Sequence, residues 1–140
     1  MSGGYPPTFT PTRLALIGSQ WPQVAPRGTL KYTSIIKDDS GNFIPAASLN
    51  SLTLTLIDAQ SGNIVNNVNN INILNTGRGT VDALGNLTVI LGANPNQADT
   101  ALIVATDNIE IRSMVFNWTY NGGNYSGYAQ RDFVIGALST

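Results

Sequence analysis

The chain is 140 residues long, enough for one domain with a buried core. Charged residues make up 11%, against about 25% in ordinary soluble domains, and 7 basic against 8 acidic residues leave a net charge of −1, which is not the basic footprint of a nucleic-acid binder. There is neither Cys nor His, which excludes disulfides and thiolate metal sites and removes the commonest general base and transition-metal ligand.

Residues 1–28 read as an extended, proline-rich arm. Pro6, Pro7, Pro11, Pro22 and Pro26 fix φ, hold the preceding residues extended and remove backbone donors. Residues 14–17 are a short apolar patch suited to an edge strand. Tyr5, Phe9, Leu14, Leu16 and Trp21 space apolar anchors along the arm, which is expected to be held by a neighbouring subunit or a partner chain. The N-terminus lacks a basic region followed by an apolar run, so no signal peptide is expected. No apolar run approaches the roughly 20 residues of a membrane helix, so no membrane partner is expected either.

Residues 29–140 read as one β domain. Residues 29–37 form a first strand, and Asp38-Asp39-Ser40-Gly41-Asn42 a turn. In residues 49–58, Leu52, Leu54 and Leu56 alternate with Thr53, Thr55 and Ile57, the period of a half-buried strand. A turn at Ser61-Gly62-Asn63 leads into short strand candidates at 64–68 and 71–74. Residues 82–86 turn again into a strand over 87–91, and residues 92–107 read as a loop with a helical turn near 96–101.

Residues 107–136 read as a long hairpin about Asn121-Gly122-Gly123-Asn124, since Asn and Gly accept positive φ. Met114, Phe116, Trp118 and Tyr120 share one parity, whereas Ile109 and Ile111 lie on the other, which predicts a β-bulge near Arg112 and Ser113. The expected core is Leu52, Leu54, Leu56, Leu87, Val89, Leu91, Phe116, Trp118, Phe133 and Ile135. The fold class is all-β, an antiparallel β-sandwich, with a jelly roll preferred over an immunoglobulin-like Greek key.

Few residues suggest chemistry. Asp38, Asp39 and Asn42 do not match a calcium loop and read as turn residues. Glu110 and Asp132 form a conceivable glycosidase carboxylate pair, but Glu110 serves equally as a cross-strand partner for Arg112 or Arg131. No nucleophile–base arrangement is available without His or Cys, so neither an enzyme nor a cofactor or metal is expected. Tyr120, Tyr125 and Tyr128, near the hairpin turn, are the contact candidates within the domain.

Three stretches carry a resemblance: the strand SLTLTLID running into Ser61-Gly62, then GTVDALGNLTVIL, and then the hairpin FNWTYNGGNY. Together, over about residues 50–136, they resemble small β-sandwich proteins of tailed bacteriophages, among them capsid cement or decoration proteins on HK97-fold shells. The resemblance implies a structural virion protein on the outer capsid surface. Its partner would be the major capsid protein, whose subunits it bridges and stabilises. The long hairpin and low charge leave strand edges and aromatic surface, from which pairing with copies of itself, most simply as a dimer, is expected. A host-surface or glycan-binding module of a tail or fibre, and a tail or baseplate connector, are the alternatives.

Overall fold

The computed structural model describes residues 21–136. Its strands are β1 (Gln23–Val24), β2 (Leu30–Ile35), β3 (Leu49–Asp58), β4 (Ile71–Asn72), β5 (Gly79–Val81), β6 (Asn86–Leu91), β7 (Ile109–Tyr120) and β8 (Tyr125–Gly136). Single 3-10 turns lie at Ala46–Ser48 and Gln97–Asp99. One sheet has the order β1-β8-β7-β3-β4 and the other β2-β6-β5. Neighbours are antiparallel, except that β1 runs parallel to β8. No helix among the described residues is long and apolar enough to cross a membrane. The architecture is all-β, two sheets enclosing a core, as the strand periodicities predict.

Period-two alternation decides which side chains meet between the sheets. Leu52, Leu54 and Leu56 of β3 and Met114, Phe116 and Trp118 of β7 face inward. They meet Leu87, Val89 and Leu91 of β6, together with Phe133 and Ile135 of β8. All ten expected core residues are buried. Tyr32 of β2 stacks on Phe116 of β7, ring centroids 6.2 Å apart, and so joins the two sheets. Trp118 lies flat on Gly127, its partner across the hairpin, where any Cβ would collide with the indole.

The bulge expected near Arg112 and Ser113 is absent. The register of β7 with β8 is continuous over all twelve residues, and its register with β3 is continuous from Arg112 to Thr119. The apolar parity changes for a different reason: Glu110 and Arg112 continue the inward face of Met114, Phe116 and Trp118. Ile109 and Ile111 face outward, where Trp21, Ala59 and Val134 cover them. The register shift lies instead in β3, between Leu49 and Ser51.

Two turns use the same device. The Asp38 carboxylate accepts the N–H groups of Ser40 and Asn42, and the Asp82 carboxylate those of Leu84 and Asn86. In each a glycine, Gly41 or Gly85, takes a positive φ one residue before the Asn. At Asp82 these hydrogen bonds, that of the Asn86 side chain foremost, hold the carboxyl below its usual range. Of the strand candidates at 64–68 and 71–74, only Ile71–Asn72 forms a strand, and Ile64 makes a single bridge to Ile57. Asn66, Asn67 and Asn70 have positive φ, which breaks up any ladder there.

Candidate functional site

Several exposed large apolar side chains lie at the hairpin end. The turn itself is left-handed at Asn121, Gly122 and Gly123, with φ of 56°, 70° and 85°. The Gly123 N–H donates to Asn50 Oδ1 at 2.8 Å, which ties the turn to the start of β3. Tyr120 and Tyr125 pack edge to face, centroids 5.6 Å apart. Tyr120 is half-buried against the core, so it supports Tyr125, which is 55% exposed. Tyr128, 61% exposed, donates its hydroxyl to Gln130 Oε1 at 3.2 Å.

Two further residues belong to this end. Phe43 lies in the β2–β3 connection and Leu84 in the β5–β6 turn, and they are 50% and 60% exposed. A hydrogen bond from Ala46 N–H to Asp82 O joins those two connections just before β3 begins opposite Tyr120. Three loops thus present Phe43, Leu84 and Tyr125 from one end. Sequence reasoning missed Phe43 and Leu84. The signal was available: both are large apolar residues embedded in Asp/Gly/Asn turns, where neither face of a strand can bury them.

The outward face of the larger sheet is polar and short on charge near the hairpin. Ser51, Thr53, Asn117, Thr119, Ser126 and Tyr128 line a shallow groove of about 420 Å³. Ser51 and Thr119 share a hydrogen bond of 2.7 Å between their hydroxyls. At the far end of this face Trp21 is half-buried against Ile111 and Val134, so this expected partner anchor packs on its own domain. Tyr5, Phe9, Leu14 and Leu16 lie outside the described residues.

The charged residues serve another purpose. Glu110 faces inward and Asp132 faces outward, where it accepts a hydrogen bond from Ser113 at 2.7 Å. The two carboxylates are on opposite faces of the sheet and cannot flank one substrate. Glu110 pairs with Arg112 at 2.8 Å, along one strand rather than across two. It also accepts the N–H groups of Ile103 and Val104 at 2.8 and 2.9 Å. Arg112, fully buried, reaches Ala101 O at 2.8 Å and Asp58 at 3.4 Å. Burial alone would raise the Glu110 carboxyl. The two N–H donors, the guanidinium and a hydrogen bond with Asp107 outweigh it and hold the group at about 2. The Asp107 carboxyl is raised in turn, chiefly by that same hydrogen bond. A second pair, Arg78 and Asp99 at 3.0 Å, ties the loop after β6 to the segment before β5, and Asn66 donates to the same carboxylate. Among the described residues no three acidic side chains converge on a metal position.

Comparison with protein families, with curated proteins and with solved structures finds no match for this chain.

Proposed function

We propose that this chain is a structural protein of a tailed-bacteriophage particle. It acts as a cement or decoration protein that binds the outer surface of an HK97-fold capsid and bridges neighbouring major capsid subunits. The observation that carries the reading is the hairpin end, where Phe43, Leu84 and Tyr125 project from three adjacent loops on a rigid sandwich. Apolar anchors on rigid loops cost little ordering entropy when they dock, and many copies of a modest contact hold a seam closed. The resemblance over residues 50–136 supplies the kind of particle. Copies pair through the outward face near the hairpin, where the groove residues carry no charge to repel a second copy. The reading includes no catalysis and no cofactor.

For the finer topology we propose the immunoglobulin-like arrangement in preference to the jelly roll. The order β8-β7-β3-β4 facing β2-β6-β5 supports it, matching the G-F-C-C′ and B-E-D sheets of that fold. In such sandwiches the loops that follow the second, fifth and seventh strands cluster at one end, which agrees with the convergence of Phe43, Leu84 and Tyr125.

The test is to mix the protein with expanded, undecorated shells of the encoding phage and measure occupancy after sedimentation. Saturable binding at a fixed number of copies per capsid subunit is expected. No binding at micromolar protein refutes the proposal. The groove with Tyr128 at its rim favours a second reading, a module for an uncharged glycan, because a sugar uses an aromatic face and neutral hydrogen-bonding groups together. Binding on a glycan array that Tyr128→Ala abolishes, with no shell occupancy, would replace the first reading with this one.

A further inference from the structure

The tip of the β7–β8 hairpin places two reactive groups side by side. Asn121-Gly122 is the chain's one Asn-Gly pair. The backbone nitrogen that follows an asparagine can attack the side-chain amide carbon of that asparagine and close a five-membered ring. A side chain on the following residue crowds this approach, and glycine has none. In a folded protein the reaction needs exposure, reacting groups free of other bonds, and a turn that opens easily.

The turn meets all three conditions. Residues 121–124 are exposed. A Cβ built on Gly122 would meet nothing nearer than 3.9 Å, so the space about this peptide is open. Among the described residues no hydrogen bond holds the Gly122 N–H or the Asn121 side-chain amide. The Gly123 and Asn124 N–H groups donate to Tyr120 O and Asn121 O at 3.2 and 3.3 Å, at and beyond the long end of the usual range. The shortest hydrogen bond on the turn comes from outside the hairpin, the 2.8 Å contact of Gly123 N–H with Asn50 Oδ1. Asn66, Asn67, Asn70 and Asn75 share the positive φ of Asn121, but each is followed by a residue that carries a side chain.

We propose that Asn121 is a site of spontaneous covalent modification, converting through a succinimide to isoaspartate and aspartate, and that Asn50 sets its rate. The Gly122 nitrogen, its proton passing to water, bonds to Asn121 Cγ, and the side-chain nitrogen leaves as ammonia. Water then opens the ring at one of its two carbonyls. Opening at the main-chain carbonyl gives isoaspartate, and opening at Cγ gives aspartate. No oxidation state changes, and one water is consumed for each ammonia released. Isoaspartate lengthens the main chain by one methylene, and either product sets a carboxylate in the turn between Tyr120 and Tyr125. The inference stands on the turn alone and is independent of the capsid. Joined to that reading, it makes docking weaken with the age of the protein.

The test is to age the full chain in mildly alkaline buffer and map the tryptic peptide 113–131, which holds Asn117, Asn121 and Asn124. Fragmentation locates the exchange of NH₂ for OH, and an isoaspartyl methyltransferase labels the isoaspartate. Conversion is expected at Asn121, with isoaspartate the major product, and not at Asn117 or Asn124. Asn121→Gly, which suits the left-handed turn, is expected to leave the peptide unchanged with age. Asn50→Ala removes the short tie and is expected to speed conversion about two- to tenfold, the increase in turn opening that one lost hydrogen bond gives. An Asn121 that stays intact in the folded chain overturns the proposal. Aspartate without isoaspartate overturns the succinimide route, and equal conversion at Asn117 or Asn124 overturns the selectivity. A rate that Asn50→Ala does not raise overturns the part given to Asn50.

Discussion

Replacing Glu110 with Gln keeps the shape of the inward polar cluster and removes its charge. Arg112 stays fully buried with Asp58, 3.4 Å away, as its remaining charged partner, beside the Ala101 carbonyl. The Ile103 and Val104 N–H groups both need an acceptor, and an amide has one oxygen, so one of them meets an NH₂. Breaking a buried pair from one side costs about 3–5 kcal/mol. Linkage gives a similar figure by a separate route. A fall of the Glu110 carboxyl from 4.5 to about 2, at about 1.36 kcal/mol for each pH unit, corresponds to about 3 kcal/mol. The folded value is the lower one, so this stability is present above pH 4.5 and is lost as the pH falls toward 2. Urea unfolding of both proteins from pH 7 to pH 2 measures it. Glu110→Gln is expected to be less stable by about 3 kcal/mol at pH 7, and the two curves should converge near pH 2. A variant within about 0.5 kcal/mol of the parent at pH 7, or parallel curves below pH 4.5, would refute the role given to this cluster.

Leu54→Ala, at a fully buried site in the middle of β3, is expected to cost about 2–5 kcal/mol in the same assay, and an unchanged melt would contradict the inward face of β3. Gly127→Ala forces the Trp118 indole off the hairpin; a loss of about 1–3 kcal/mol with an altered near-ultraviolet dichroism of the tryptophan is expected. Tyr125→Ala combined with Leu84→Ser should leave the melting temperature near that of the parent and reduce shell occupancy at least tenfold, on the order of two weakened anchors. Sedimentation velocity is expected to give a dimer that Asn117→Arg, in the outward groove, returns to a monomer; a monomeric parent chain would end the dimer reading.

The parts of the fold legible in the sequence were those where neighbouring residues carry the pattern. Leu52, Leu54 and Leu56 announce a strand and its buried face, and Asn121 to Asn124 announce the hairpin turn, because both depend on local geometry. The error at Arg112 arose because periodicity assumes that the inward face is apolar. A buried ion pair satisfied by distant backbone groups at 101–104 reads in the sequence as a break in phase. The strand Gly79–Val81 went unseen since three residues, one of them glycine, carry no alternation. Of the candidate surface, Tyr125 and Tyr128 were found as aromatics beside a turn. Phe43 and Leu84 join them only through the packing of three loops, which no local window contains.

The two sheets differ in reach. β7 and β8 each span roughly 40 Å, whereas the six-residue strands opposite span about 20 Å. The remainder of the inward face is closed by the loop between β6 and β7, fastened by Glu110 and Arg112. A sheet-covered half, held by area, and a loop-covered half, held by a few charged hydrogen bonds, need not open together. The loop half is therefore expected to open as a separate cooperative unit, with a lower opening free energy that weakens in acid. Proteolysis at low pH should therefore nick the chain near Val104 while the hairpin and its tyrosines stay folded. Such a protein would loosen at one end and keep its hold at the other.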